Sequence, residues 1–421
     1  MIAGSGQGTR AAWSWALYDW AHMGFAVVVM SGFFPVYYTQ YWSAGLPRTT
    51  ATFHLGLINS SASLIILVVA PLLGVLADQT RRFKGLLVAF TVAGALATVS
   101  LVFIPDGGWR VAALAYGIGL IGYLGANVLY DGLLLTVVTT ARLAQVSSLA
   151  YALGYLGGGG LMAFCVFLTY HYEAFGLSSS AQALQASFVI AGIWWLLFTL
   201  PLVRWVHEPT GHPAESPMIS GFQQLRATLR RVRQHRPAWI FLIAYWLYID
   251  GLNTMTVMAV NYALSIGFQA RQLLAALLLV QFVSFPATLA FSWLSNRVPI
   301  HRLLFFGLGG YAVATLGAAA MSAAWEFWVV SVLVGLFQGG VQGLSRAWYA
   351  QLIPAAESGV FFGLYNMFGK LAAVIGPLLM GAVAVALHSE RLGILSLMVL
   401  LLSGAVVLAF VPRPGVRRQP S

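Results

Sequence analysis

A chain of 421 residues that is 60% hydrophobic and only 8% charged, with a mean hydropathy of +0.83, cannot clothe a soluble surface and reads as a polytopic membrane protein. A net charge of +11 would suit a nucleic-acid binder, but the basic residues fall in loops between apolar runs, which assigns them to topology. The one cysteine, Cys165, excludes an intramolecular disulfide and reads as a small packing residue.

No short segments of alternating polarity separated by turns occur, so helices rather than a β-barrel must satisfy the backbone within lipid. Taken in order, apolar windows of about 20 residues predict spans at 13–38, 55–77, 85–104, 111–138, 146–170 and 187–206. A polar stretch follows, and then spans at 238–266, 273–294, 303–321, 327–350, 359–387 and 392–411. The expected fold class is an all-α polytopic membrane protein with twelve transmembrane helices in two pseudo-symmetric six-helix bundles. The domains are 1–206, a cytoplasmic linker at 207–237, and 238–421. Only Arg10 precedes the first apolar run, which we read as a retained span rather than a signal peptide.

Sorting the basic residues by alternate loops tests this order independently. Arg10, Arg81, Arg82, Lys84, Arg142, the linker arginines, Arg297, Arg302 and Arg413 fall on one side, against Arg48, Arg110, Arg271 and Arg391 on the other. The positive-inside rule then makes both termini and the linker cytoplasmic. Within the linker, Met218, Phe222, Leu225 and Leu229 recur at helical spacing among arginines. That pattern predicts an amphipathic helix, on the inner leaflet or simply solvated.

The first span carries Asp19 in WALYDWAHMGF. Placing a carboxylate in mid-bilayer costs about 2.5–3.5 kcal/mol, so it must meet a partner or a watery cavity. YIDGLNTM near the start of the seventh span matches LYDWAHMGF and puts Asp250 at the corresponding place. Such repetition is expected of a transporter built from two halves around a midplane site. With Asp131, Arg346 and Lys370 the intramembrane charges number three acids and two bases, which predicts mutual compensation. Asp131 and Arg346, in the corresponding fourth and tenth spans, either exchange partners between states or form a latch near the cytoplasmic ends. His22, one turn from Asp19, either shares its polar site and titrates or is a hydrogen-bonded packing residue. Tyr18, Trp20, Trp246 and Tyr248 flank the two acids and, with Asn253, are candidates for the cavity wall; aromatic residues near span ends otherwise anchor at the interface.

Gly74 to Lys84, GVLADQTRRFK, has a G-x-x-x-D-x-x-R-R pattern between the second and third spans. This pattern resembles the loop of the major facilitator superfamily, with Asp78, Arg81, Arg82 and Lys84 as charge-pair and gating candidates; in the second half Asn296 replaces the acid. Longer stretches resemble the autophagy-related vacuole effluxer family and its bacterial permease members. They are 15–21 (WALYDWA), 149–159 (LAYALGYLGGG), 241–254 (FLIAYWLYIDGLNT), 335–354 (GLFQGGVQGLSRAWYAQLIP) and 361–381 (FFGLYNMFGKLAAVIGPLLMG). The resemblance implies the major facilitator fold, secondary transport, amino-acid export and a bacterial inner membrane.

No G-x-x-x-x-G-K-[ST] run, nucleophile elbow or Cys/His metal spacing is present, so neither ATP-driven transport by this chain nor an enzyme is expected, and no cofactor or metal. Dense glycines at 154–160 and 339–343 and the Gly376–Pro377 pair read as packing faces and a kink. The leading expectation is a monomeric, proton-coupled, alternating-access transporter of small polar or amphipathic solutes. Asp19 and Asp250 would then hold a proton or an amine, and Lys370 or Arg346 a carboxylate. Its partners are the substrate, protons and the bilayer. A multidrug, hydrophobic-cation or siderophore-type transporter stands as the alternative; a non-transporting receptor would need a soluble module that the chain does not display.

Overall fold

The computed structural model describes residues 8–208, 230, 232–265, 270–321, 323–372 and 375–412. Among them eleven helices are long and apolar enough to cross a membrane. We number the long helices α1 (Thr9–Trp42), α2 (Arg48–Thr80), α3 (Phe83–Ser100), α4 (Trp109–Val137), α5 (Leu143–Tyr170) and α6 (Ser180–Trp205). The second half contains α7 (Arg236–Ser265), α8 (Ala270–Leu294), α9 (Ile300–Ala320), α10 (Ala324–Leu352), α11 and α12 (Glu390–Ala409). α11 consists of two pieces, α11a (Ser358–Leu371) and α11b (Ile375–Ala386). α7 is the long helix outside the eleven; at 30 residues it is about 45 Å long, enough for a hydrocarbon core of about 30 Å. Of the amphipathic segment expected at 218–232, only Arg230 and Val232 are described and the rest lies outside the described residues.

The two halves pack by the same scheme. α1 lies on α5 and α6, α2 on α4, and α3 on α4 and α6; correspondingly α7 lies on α11 and α12, α8 on α10, and α9 on α10 and α12. Across the halves α2 packs on α11a and α5 on α8, again a related pair. α2 and α11a approach closely at their crossing, where both carry glycine. A Cβ on Gly74 would lie 2.0 Å from the Gly359 carbonyl oxygen, well inside any van der Waals contact.

Two departures from regular helix bear on the site. α1 loosens into π-helical turns at Phe25–Phe33 and Tyr38–Trp42. The β-branched run Val27–Val29 and Pro35, which has no N–H to give, both disfavour regular α bonding there. α11, expected as one kinked span, leaves the helix at Ala372, and its second piece begins at Ile375. Pro377 cannot donate to the residue four positions back and its ring crowds that carbonyl, so the helix restarts with Pro377 in its first turn.

Candidate functional site

A cavity of about 380 Å³ lies between the halves, walled by α1, α4 and α5 on one side and α7, α8, α10 and α11a on the other. Four charged side chains reach it: Asp19, Asp131, Arg346 and Lys370. Five tyrosines (Tyr123, Tyr151, Tyr155, Tyr245 and Tyr365) and the amides of Asn127, Asn253, Gln281, Gln338, Gln342 and Asn366 complete its polar lining. The π-helical part of α1 adds Ala26, Val27, Met30 and Ser31.

Arg346 of α10 crosses to the first half. Its guanidinium donates to Asp131 Oδ1 at 3.1 Å and to Asp19 Oδ2 at 3.4 Å, while Nε donates to Ser147 Oγ at 2.9 Å. The rings of Trp15, Tyr130 and Tyr151 lie 4.8, 5.4 and 4.4 Å from its central carbon, so aromatic faces replace part of its lost hydration. Tyr130 donates to Asp19 Oδ2 at 3.1 Å. The second Asp131 oxygen accepts from Asn366 Nδ2 at 3.0 Å, and Asn127 donates to Asn366 Oδ1 at 2.8 Å. Two carboxylates, one guanidinium and a pair of amides therefore form one buried network spanning the halves, the condition under which charge is tolerated in lipid. Lys370 stands apart: among the described residues it has no ion-pair partner.

The expected cavity residues divide. Asp19, His22, Asn253 and Lys370 line the cavity, as do Asp131 and Arg346, which were assigned to pairing. His22 is a packing group as well, stacked on Tyr123 at 3.9 Å with Nε2 donating to the Tyr123 carbonyl at 3.0 Å. Asp250 is not in the cavity wall. Its Oδ2 accepts from the Gly376 N–H at 2.9 Å and its Oδ1 from Thr254 Oγ1 at 3.2 Å, so it caps the N-terminus of α11b, which the interruption exposes. Asp19 and Asp250 thus occupy matching places in the sequence and do different work.

The four flanking aromatics also turn away. Tyr18 shares a hydrogen bond with Thr91 at 2.8 Å, and Trp20 stacks on Trp194 at 5.6 Å. Trp246 packs edge-on to Phe368, and Tyr248 bonds Ser345 at 2.6 Å. Four of the five tyrosines that do line the cavity were visible within the matched stretches, Tyr151 and Tyr155 in LAYALGY, Tyr245 in FLIAYWLYIDG and Tyr365 in FFGLYNMFGK, but nothing in their spacing marked which face they take; Tyr123 lies outside those stretches.

Besides the network around Arg346 and Asn366, further polar contacts join the halves at the end of the molecule that carries Arg81, Arg82 and Lys84. Asp78 accepts from the Gly359 and Val360 N–H groups at 3.1 and 2.8 Å and caps α11a from α2. Ser358 donates to the Gly132 carbonyl and Ser147 to the Gly343 carbonyl, and Gln145 donates to Asn296. Lys84 Nζ donates to the carbonyls of Val203 and Val206 at the end of α6, whereas Arg81 terminates α2 with a left-handed φ of 56° and Arg82 is exposed at the start of α3. Of these four loop residues, Asp78 joins the halves by hydrogen bonds, whereas Lys84 bonds within the first half.

The sequence matches the family model described as "Vacuole effluxer Atg22 like" over residues 7–138 and 136–420. It is 35% identical to a Bacillus subtilis protein described as an uncharacterized MFS-type transporter, YxiO, over 96% of this chain and 95% of that one. Autophagy-related protein 22 of Yarrowia lipolytica is 25% identical over 62% of this chain, which spans 49% of the fungal protein. Among solved structures, the proton:xylose symporter XylE is similar with a TM-score of 0.73 at 14% identity, covering 96% of this chain and 95% of that one. The major facilitator superfamily transporter FucP in its outward conformation gives 0.70 at 16%, over 96% and 100%. These likenesses show the fold, two six-helix bundles of the major facilitator type with a cavity between them. With nearly all of its length matched, the chain belongs to the vacuole effluxer Atg22-like family of multi-pass, MFS-type membrane transporters.

Proposed function

We propose that the protein is a proton-coupled secondary transporter that moves small amphipathic solutes bearing a carboxylate, amino acids among them, by alternating access. The observation that carries this reading is the division of charge in the cavity: Arg346 is occupied by two acids of the first half, while Lys370, from the same second-half wall as Arg346, is left for an anion. A mid-span ammonium without a counter-ion is costly, and a substrate carboxylate supplies one. Asp19 and Asp131 share a single guanidinium, so one of them can take a proton while the other keeps the pair. Asp250, with both oxygens engaged at α11b, is left to the helix rather than the proton.

Opening the end carrying Arg81, Arg82 and Lys84 requires release of the Asp78 cap on α11a and of the Arg346 contacts with the first half, both of which lie between the halves. The excess of basic residues in the loops at this end supports a cytoplasmic position for it. The domains 1–206 and 238–421 then act as the rocking bodies of a monomer in the cell membrane, joined through 207–237.

The test is uptake or counterflow of radiolabelled amino acids and other small carboxylates in proteoliposomes under an imposed pH gradient. Asp19→Asn should abolish the dependence on the gradient, and Lys370→Gln should abolish carboxylate flux in a folded protein. Undiminished, gradient-dependent flux in both variants would sink the reading. The tyrosine-rich wall favours a second possibility, an organic cation as substrate; flux that Lys370→Gln increases would support it.

A further inference from the structure

A second cavity, of about 500 Å³, opens between α2 and α11a. Its α2 wall includes Asn59, Ser63, Leu64 and Leu67, and its α11a wall ends in Lys370 and Leu371. Lys370 also lines the central cavity, so one ammonium stands in the partition between the two spaces. The slot occupies the part of α2 remote from the Asp78 end, where Leu64 is 63% exposed on a membrane-spanning face. Asn59 is already engaged, donating to the Leu55 carbonyl at 2.8 Å and accepting from Tyr116 at 3.1 Å. Lys370 is the one charged side chain of the slot among the described residues.

We propose that this slot is a lateral gate to the lipid, in which the apolar tail of a single-chain carboxylate lies against Leu64, Leu67 and Leu371 while Lys370 holds its head group. The substrate class of the central site then includes linear carboxylates with hydrocarbon tails. The inference rests on the carboxylate-binding reading of Lys370 given above. Its own support is the shape and chemistry of the slot: a small polar solute needs no opening onto lipid, whereas an amphiphile needs an apolar channel that ends on a cation. An ammonium reachable from both spaces can pass the head group inward without the tail leaving an apolar surface.

The experiment uses the full chain in nanodiscs of zwitterionic phosphatidylcholine. Butanoate, octanoate, dodecanoate and dodecanol are compared at equal free aqueous concentration by isothermal titration and thermal shift. Affinity should rise about tenfold or more from butanoate to dodecanoate, with dodecanol failing to bind. Ser63→Trp, and independently Ser60→Trp at an exposed slot position, should flatten the series and leave butanoate within about twofold of wild type. A flat wild-type series, dodecanol matching dodecanoate, displacement by anionic phospholipid but not by free carboxylates, or a slope unchanged in both folded slot variants would overturn the lateral gate. Butanoate binding that survives Lys370→Gln would instead overturn the carboxylate reading of the central site.

Discussion

Arg346 is held by both halves at once, and its environment sets what its replacement should do. Arg346→Met leaves Asp19 and Asp131 together in a buried site without their cation, an error of about 3–5 kcal/mol. Denaturant unfolding in detergent should show that loss. Arg346→Lys keeps the charge but forfeits the two-pronged contact and the aromatic stacking on Trp15 and Tyr151, so it should fall between wild type and Met. The decisive comparison is the triple variant Asp19→Asn, Asp131→Asn, Arg346→Met: removing the stranded charges should restore much of the stability while transport stays absent. If the triple variant is no more stable than Arg346→Met alone, the network is not what makes the arginine indispensable. The five intramembrane charges were legible from sequence because lipid makes each conspicuous. Their partners were not, since Arg346 and Asp131 are 215 residues apart and no helical period links them.

At the scale of single elements, α11 is a helix built from two pieces whose N-termini are each held by an acid from another helix, Asp78 of α2 and Asp250 of α7. Gly376–Pro377 announced a weak point in the sequence, but the acid that caps it came to notice only as half of a repeat with Asp19. A backbone N–H freed by a helix break has no signature of its own, so the sequence suggested a cavity where the structure has a cap. Gly376→Ala tests the arrangement. The added Cβ would lie 2.0 Å from Thr254 Oγ1 and 2.6 Å from Asp250 Oδ1 and should cost about 1–3 kcal/mol. Combining it with Thr254→Ala should recover part of that loss, read as a non-additive double-mutant cycle; strict additivity would mean that the two side chains do not share this space. Asp78→Ala should cost about 1 kcal/mol through the lost cap on α11a. It should also raise thiol labelling of a cysteine placed at Gly132 or Ser358, positions that the closed end buries.

For the whole molecule, twelve spans, their order and the relation between the halves could be read from apolar length, loop charge and the repeated acid motif, because bilayer thickness sets span length, insertion biases loop charge and a two-half architecture repeats its motifs. Which faces meet across the halves could not, because every helix here is apolar enough that hydropathy does not distinguish lipid from protein. Besides the network at the central cavity, the structure puts polar contacts between the halves at the end near Asp78, where Gln145 meets Asn296 and Ser147 meets Gly343. A rocking mechanism requires these contacts to part once per cycle. Joining Gln145→Cys to Asn296→Cys with a short bifunctional thiol reagent should therefore hold this end shut. Native Cys165 is fully buried and so does not compete for the reagent. The cross-linked protein should lose net transport and regain it when a cleavable linker is cut. It should still bind substrate through the opposite opening, because no residue of the central cavity has been altered. Full transport after quantitative cross-linking would show that the halves do not separate at this end, and alternating access in the proposed form would fall with it.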